Sequence, residues 1–262
     1  MKPGYDISKE CRWVSVLNLK GKTKEEIFKE FSYQTRQDIR TYEKYCVKTR
    51  VLNEDQLDVL DEMEKETSER QDFEAMSLDF YKDLYHFYGK SHIETVLSYL
   101  DLDAYAIKMQ SEFDKTSKDI EKTKTFLEQN PGNVKKEKRL KTDEEYYNSL
   151  QKKLSHIEEL KQEYGKEIPL ACCLFVKYGH QIVYLVGSSN YEHRVFRGPY
   201  AIQWKMIQEA IDEGYDLYNF YGISGYFRKD EEGYGVFDYK RGYNAVVREY
   251  ICLLYTSDAA DD

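Results

Sequence analysis

The chain has 262 residues, of which 41% are hydrophobic and 33% are charged, and its formal net charge is −9. This length and apolar content suffice for one large domain or two small ones with a real core. The acidic balance argues against a protein that coats nucleic acid regardless of sequence, but it leaves room for a local basic patch.

The first hundred residues predict a mixture of strands and helices. Residues 13–19 (WVSVLNL) alternate between polar and apolar side chains and then run apolar, which is typical of a strand. Thr23 and Glu26 form a capping box, so we expect a helix that begins there and continues to about residue 45. A short strand and two amphipathic helices follow, and residues 93–102 (IETVLSYLDL) are predicted to be partly strand.

Two charged helices joined by a helix-breaking turn are predicted in the middle of the chain. The first carries a heptad seam, in which spacings of three and four alternate, formed by Ala106, Met109, Phe113, Thr116, Ile120, Thr123 and Leu127. It ends at NPGN (residues 130–133), because Pro and Gly break a helix. The second runs from about residue 140 to 164, with an apolar side formed by Tyr147, Leu150, Leu154, Ile157 and Leu160. We expect an antiparallel coiled-coil arm of about 35–40 Å, although two ordinary bundle helices would give a similar pattern.

From residue 168 the pattern becomes α/β. Two strands joined at Gly179 and His180 predict a hairpin, and a helix, a strand (LYNFYGI) and a last strand (AVVREYICLLY) follow. Residues 218–244 are about half Tyr, Phe and Gly, and we interpret them as loop-rich beyond the strand. Tyr combines a rigid ring with a polar tip, which suits a cleft for polar ligands as well as a half-buried sheet.

The predicted organisation is one α/β (α+β) domain with an insertion. Residues 1–101 and 168–252 are expected to pack together, and residues 102–167 form the inserted coiled-coil arm, because the two ends of an insertion can lie close in space. Residues 253–262 are acidic, rich in small residues and unlike the rest of the chain, so we interpret them as a non-native tail.

Several kinds of site are not indicated by the sequence. The five Cys are irregularly spaced and the five His are scattered, so we expect reduced thiols, no disulfide framework and no metal. No apolar run of about 18 residues occurs and the N-terminus has no apolar segment, which predicts a cytoplasmic protein without a transmembrane span. The sequence contains neither a Ser-His-Asp arrangement nor a Gly-rich P-loop.

The second half carries motifs that occur together in one family. A strand hairpin, a polar loop with Arg194 and Arg197, and Gly198 before a helix resemble the acyl-donor turn of the GNAT acyltransferase fold, where a helix N-terminus receives an anion. The run FRGPYAIQWKMIQEAIDEGYDLYNFYGISGYF, followed by GVFDYKRGYN, closely resembles the Fem family of peptidoglycan-bridge aminoacyltransferases (FemABX). WVSVLNLKGKTKEEIFKEFSYQTRQDIR and ETSERQDF also resemble elements of this family, so the resemblance covers roughly residues 12–250.

The resemblance implies a fold, a reaction and two substrates. Family members resemble paired GNAT-like domains, often with a coiled-coil arm inserted in the second, and this chain is similar to that second domain. The implied reaction moves an amino acid from aminoacyl-tRNA to the stem-peptide amine of a peptidoglycan precursor, and it needs no cofactor. Because the ester is already activated, the enzyme has to align amine and ester and to stabilise the oxyanion.

The resemblance also implies site residues. Lys240 matches the lysine of the family's FxxK motif, here with Phe237, and is the first choice for the catalytic cation, although a surface salt bridge is equally consistent with the sequence. Tyr221 and Gly222 match the strand end near the cleft. Tyr200, Gln203 and Trp204 match the start of the helix, where Gln203 and Trp204 are as consistent with packing as with ligand binding.

Two groups of basic residues complete the predicted site. Arg36, Arg40 and Arg70 are candidates for phosphate or carboxylate binding, although salt bridges on helix surfaces also account for them. NVKKEKRLK (residues 133–141) is the densest basic cluster of the chain, and its candidates for a tRNA backbone contact are Lys135, Lys136, Lys138 and Arg139. A solvated helix start is the plainer interpretation.

The chain departs from the family in one respect that bears on activity. It begins where a complete family member would already have finished its first domain, so the first domain is expected to be missing. Activity is then expected to depend on that domain or on another subunit. The alternatives are an acyltransferase that uses acyl-CoA and a non-catalytic interaction module. The arm is able to pair within one chain or between chains, so a homo- or hetero-oligomer stays open.

Overall fold

One mixed sheet of seven strands organises the part of the chain that the structure describes, which is residues 11–71, 73–231 and 233–250 of a computed structural model. The elements in chain order are β1 (Trp13–Asn18), α1 (Lys24–Glu30), α2 (Tyr33–Lys44), β2 (Val47–Leu52), α3 (Asp58–Gln71), α4 (Leu78–Tyr88), β3 (Ile93–Asp101), α5 (Leu102–Gln129), α6 (Val134–Tyr164), β4 (Glu167–Tyr178), β5 (Gln181–Ser189), α7 (Gly198–Asp212), β6 (Leu217–Ile223), α8 (Tyr234–Gly242) and β7 (Val246–Glu249). The predicted α/β class is confirmed. The tail predicted at residues 253–262 lies outside the described residues.

The sheet opens between β5 and β6. The strand order is β2-β3-β4-β5-β6-β1-β7, and β5 and β6 are parallel neighbours whereas the other neighbours are antiparallel. In the described register, β5 pairs with β6 through Gln181–Val183 and Leu217–Asn219. Beyond these residues β5 continues to pair with β4 and β6 with β1, so the two parallel strands part at Asn219.

Helices cover both faces of the sheet, because successive side chains of a strand point to opposite faces and both faces carry apolar residues. Along β4, Cys172 and Leu174 pack with α3 and α4, whereas Cys173 and Phe175 pack with α1, α2 and α7. The two adjacent cysteines therefore lie on opposite faces, and burial raises the pKa of Cys173 to about 12. This geometry keeps the pair apart, as the predicted reduced thiols require.

α5 and α6 form a helical hairpin inserted between two neighbouring strands. β3 and β4 pair up to Asp101 and Glu167, so the hairpin leaves and re-enters the sheet at adjacent positions. All the predicted seam residues of both helices are buried or half-buried, and Phe113 stacks on Tyr147 with ring centroids 4.3 Å apart. At 1.5 Å per residue, the two helices are about 42 and 46 Å long.

Four details differ from the sequence-based expectations. α6 begins at Val134, not near residue 140, because the Asn133 side chain caps it by accepting the N–H of Lys136 (3.1 Å). β3 is a complete strand. The helix expected to run unbroken to about residue 45 is divided at Ser32, which caps α2, while Phe31 turns into the core. The segment expected to be loop-rich contains α8.

In the described part of the chain, no helix is both long and apolar enough to cross a bilayer.

A buried carboxyl group on α3 makes stability depend on pH. Glu64 is 4% exposed, and burial, with a smaller contribution from the charge of Asp61, raises its pKa to about 7. The folded-state pKa lies above the unfolded value of about 4.3. The protonated form is therefore favoured by folding, and stability falls as the pH rises from about 4.5 through 7.

We expect Glu64→Gln to stabilise the protein relative to wild type at pH 8, by about 1–3 kcal/mol, and much less at pH 5. Gln removes the ionisable group while keeping the shape of the side chain. Thermal unfolding at both pH values measures the difference. Glu62→Gln, at an exposed position of the same helix, is the matched control. A Glu64→Gln effect that is the same at pH 5 and pH 8 would contradict the shifted pKa.

Candidate active site

Lys240 is a buried lysine near the end of α8. Its side chain is held in a nearly closed environment, with 5% of the residue exposed, and Nζ donates a hydrogen bond to the carbonyl oxygen of Gly222 at 2.6 Å. Burial lowers the pKa of Lys240 to about 8. The group is therefore still mostly a cation at neutral pH, and a small rise in pH changes its charge.

The end of β6 supplies the acceptor. Tyr221 has a left-handed backbone (φ 62°), and Gly222 follows it. A Cβ on Gly222 would lie 2.3 Å from Cys11 Sγ, so a larger residue would collide with the thiol. The predicted pair Tyr221 and Gly222 thus lies beside Lys240.

An aromatic wall extends from Lys240. Phe237 lies one turn before Lys240 on α8 and contacts Phe227 edge-to-face, with ring centroids 5.1 Å apart. Phe227 in turn contacts Trp13 (5.9 Å), and Tyr234 contacts Phe237 (5.8 Å). Phe227 is 40% exposed, so part of this wall faces solvent and is open to a ligand.

α8 is fastened to α2. The backbone N–H of Ser32 donates to the carbonyl oxygen of Gly242 (2.8 Å), and a Cβ on Gly242 would lie 2.4 Å from Thr35 Oγ1. Glycine at this position allows the two helix ends to approach closely. The contact fixes the C-terminal end of α8, two residues beyond Lys240.

Tyr200 and Gln203 lie behind this helix. The Tyr200 ring contacts Tyr239 (5.2 Å) and stacks on Tyr243 (6.0 Å), and burial, with the charge of Asp38, raises the pKa of Tyr200. Gln203 is fully buried and accepts a hydrogen bond from the Tyr218 hydroxyl (2.7 Å). Both residues support the aromatic packing under α8, and their contact with a substrate stays a prediction.

The N-terminal turn of α7 is occupied by protein. Arg197 precedes the helix in a left-handed conformation (φ 61°) and pairs with the buried Asp38 at 2.8 Å. Gly198 packs so tightly that an added Cβ would lie 2.4 Å from Leu170 Cβ and 2.8 Å from Ser98 Oγ. At this helix start, the Arg197 charge and the space beside Gly198 are therefore already taken up by contacts within the protein.

The three predicted anion-binding arginines each have a local partner. Arg36 donates to the carbonyl oxygens of Lys29 (2.9 Å) and Phe31, and Arg40 lies 5.7 Å from the ring centroid of Phe28. Arg70 lies 5.0 Å from the ring centroid of Tyr191, and it donates to the carbonyl oxygen of Ser189 (3.4 Å). None of these contacts involves α8 or Gly222, so the structure does not bring the arginines together with Lys240.

The predicted basic cluster lies on the first turns of α6, at the end of the hairpin away from the sheet. Lys135, Lys138 and Arg139 are exposed, and Arg139 pairs with Asp143 at 3.4 Å. Lys136 lies 5.2 Å from the ring centroid of Phe126, which is itself 37% exposed. The cluster combines positive charge with an accessible aromatic ring.

Sequence reasoning missed three parts of the site: α8 as a helix, Asn219 and Cys11. The glycines at both ends of α8 favour a loop over a helix in sequence-based prediction. The spacing of Tyr239 and Tyr243 by four residues, as on one helix face, is the signal that indicates the helix. Asn219 lies within the LYNFYGI run but is not singled out there as a site residue, and Cys11 carries no motif; the structure places Asn219 at a pairing position of β6 and the Cys11 thiol against Gly222. Within the described residues, no group of three or more His, Cys, Asp or Glu is arranged to hold a metal ion.

Comparison with known proteins identifies relatives along nearly the whole chain. Aminoacyltransferase FemA of Staphylococcus epidermidis is 34% identical over 248 residues, which are 95% of this chain and 59% of that protein. FemA of Staphylococcus aureus is 33% identical with the same coverage. The chain thus spans 59% of the length of these relatives.

The fold has a solved counterpart. The crystal structure of FemX matches with a TM-score of 0.77 at 22% identity, over 94% of this chain and 62% of the FemX chain. The fold is therefore the GNAT-like α/β fold, here interrupted by the hairpin of α5 and α6. The model of the FemAB family matches residues 1–254, and the chain belongs to the FemAB family.

Proposed function

We propose that this chain carries the catalytic lysine of a cytoplasmic aminoacyltransferase that moves an amino acid from aminoacyl-tRNA to the stem-peptide amine of a peptidoglycan precursor. The relatives named aminoacyltransferase FemA support the reaction class. The observation that carries the proposal is Lys240, a buried cation held at the end of β6 beside an aromatic wall. The proposed role of such a reaction is the formation of peptide bridges in the cell wall.

The proposed chemistry needs a positioned cation and no cofactor. The acceptor amine attacks the ester carbonyl, an amide bond forms, and the bond to the tRNA 3′-oxygen breaks; the proton lost by the amine is transferred to that oxygen. An ammonium has three N–H donors. Lys240 uses one on Gly222, which leaves others for the oxyanion or the leaving oxygen.

The surroundings of Lys240 divide five of the predicted binding residues into two groups, and the three arginines stand apart from both. Tyr221, Gly222 and Phe237 are proposed to line the peptide site, since they adjoin Lys240 on β6 and α8. Tyr200 and Gln203 are proposed to support it from behind, through Tyr239, Tyr243 and Tyr218. Arg36, Arg40 and Arg70 remain candidates for anionic groups of a substrate that extends beyond the described contacts around Lys240.

The basic end of the hairpin is proposed to contact the tRNA backbone. Lysine and arginine attract phosphates independently of base sequence, and an exposed aromatic ring such as Phe126 is able to stack on a base. The chain as a whole is acidic, so this cluster is the place where a polyanion meets least repulsion.

An acyltransferase that uses acyl-CoA is the alternative enzyme hypothesis, and the contacts at the N-terminus of α7 count against it. GNAT-type binding of a pyrophosphate uses free backbone N–H groups at a helix N-terminus. Here Arg197 is paired with Asp38, and Gly198 is packed against Leu170 and Ser98. A non-catalytic module is the remaining alternative, and it predicts no transfer of any acyl group.

Transfer of labelled amino acids from charged total tRNA to a lysine-containing precursor tests the proposal. The assay uses this chain and the full product of its gene, since the chain spans 59% of its relatives. Lys240→Met should lower kcat about 10²–10³-fold, whereas Lys229→Met, at an exposed position of the β6–α8 loop, should change it little. If neither protein transfers an amino acid and acyl-CoA binds, the hypothesis of an acyl-CoA donor is favoured. If Lys240→Met leaves the rate unchanged, Lys240 has no role in the mechanism.

The cationic role of Lys240 predicts a specific pH dependence. Since the pKa of Lys240 is lowered to about 8, the cation is present below that pH and lost above it. Lys240→Arg keeps its charge throughout this range. The ratio of the wild-type rate to the Lys240→Arg rate should therefore fall as the pH rises from 7 to 9, and the ratio cancels the titration of the substrate amine. A ratio that rises would indicate a general base instead.

The tRNA contact is tested by removing charge from the hairpin end. Changing Lys135, Lys136, Lys138 and Arg139 together to Gln should raise KM for aminoacyl-tRNA about tenfold and reduce its salt dependence, because fewer counterions are released. The value of kcat should stay near wild type. The matched control changes four exposed lysines along the hairpin to Gln: Lys115, Lys118, Lys122 and Lys152. Equal effects in the two variants would contradict a contact at the hairpin end.

A further inference from the structure

β6 contains a bulge immediately before the carbonyl group that binds Lys240. Val14 pairs with Gly222 and Val16 pairs with Asn219, so one residue of β1 faces two residues of β6. Tyr221, one of the two, has a φ of 62°, a left-handed conformation that residues other than Gly rarely adopt. Bulges next to active sites commonly redirect a group of the strand.

The Asn219 side chain holds this bulge. Its Oδ1 accepts the backbone N–H of Tyr221 at 2.8 Å, which is the turn-forming contact that Asn makes with the residue two positions ahead. Its Nδ2 donates to Gln181 Oε1 (3.2 Å) and to the Tyr250 hydroxyl (3.3 Å). The residue is 2% exposed, so these partners take the place of water.

Asn219 also lies at the point where the sheet opens. It is the last residue of β6 that pairs with β5 in the described register, opposite Val183. Its amide therefore ties three elements together: β5 through Gln181, the segment after β7 through Tyr250, and the bulge through Tyr221. Of these three contacts, the one to the Tyr221 N–H lies next to Gly222.

We propose that Asn219 is a positioning residue that directs the Gly222 carbonyl oxygen toward Lys240 by fixing the left-handed conformation of Tyr221. The proposal rests on the proposed function for its catalytic meaning, but its geometric content is independent of that function. Without the Asn219 acceptor, Tyr221 returns to an extended conformation, the following carbonyl turns away, and the flexible lysine stem carries the ammonium to water.

Competitive labelling of Lys240 with acetic anhydride across pH, read by mass spectrometry, tests the proposal. In the wild type the labelling midpoint should lie near 8. In Asn219→Ala it should move up by about one unit or more, toward the ordinary lysine value of about 10.4. Adding Tyr221→Gly should bring it back, because Gly adopts the left-handed conformation without a side-chain contact. Tyr221→Gly alone is measured alongside.

Two controls keep the result specific. Asn148→Ala, at an exposed position on the hairpin, should leave the Lys240 midpoint unchanged. If Asn219→Ala does not fold, Asn219→Ser is used; its hydroxyl is a weaker acceptor for the same N–H, so a smaller shift that Tyr221→Gly cancels is expected. An unmoved midpoint, or one that Tyr221→Gly does not restore, would overturn the proposal.

Transfer assays on the same variants separate this proposal from the proposed function. Asn219→Ala should lower kcat with little change in KM, as expected for a residue that acts through Lys240. A moved and restored midpoint in a protein without transfer activity would support the positioning role and count against the proposed reaction. An active wild type with an unmoved Asn219→Ala midpoint would do the reverse.

Discussion

A lysine side chain that leaves water loses its hydration, and it stays charged only if an acceptor lies within hydrogen-bond distance. At Lys240 that acceptor is a main-chain carbonyl oxygen, at 2.6 Å, in a nearly closed environment. A carbonyl group carries no full charge, so it retains the ammonium without raising its pKa as a carboxylate would. The result is a cation whose pKa lies near 8 instead of above 10. The bulge of β6, the thiol of Cys11 and the position of α8 all bear on this single contact.

The framework that holds the contact comes from both ends of the described chain. β1 pairs with β6 on one side and with β7 on the other, while the start of α2 is fastened to the end of α8. The hairpin of α5 and α6 leaves this framework undisturbed, because it enters and leaves between paired strands at Asp101 and Glu167. A long helical extension with a basic tip and a buried lysine site therefore coexist in one fold without sharing a core, since the hairpin packs mainly on itself and on the β3–β4 side of the sheet.

Much of this architecture follows from local pattern, and the exceptions have physical causes. The heptad seam and the NPGN turn predict the hairpin, because a spacing of three and four residues repeats without interruption. The two apolar runs on either side of Gly179 and His180 predict the β4–β5 hairpin, because a two-residue turn containing Gly joins neighbouring antiparallel strands. The division of α1 from α2 was not predictable, since it is set by Phe31 entering the core against Trp204 and Tyr243. The FxxK motif identifies Lys240 as a candidate. Its burial and its Gly222 partner depend on the pairing of β1 with β6, two strands more than two hundred residues apart in sequence.

The central claim is that Lys240 is a buried cation held by a main-chain carbonyl, and its charge can be followed directly. NMR of the protein with isotope-labelled lysine, assigned through Lys240→Arg, measures the titration of this one Nζ without any substrate. The account predicts a midpoint near 8, well below that of the exposed lysines. A midpoint above about 10, the ordinary lysine range, would show that the side chain lies in water and would contradict the account.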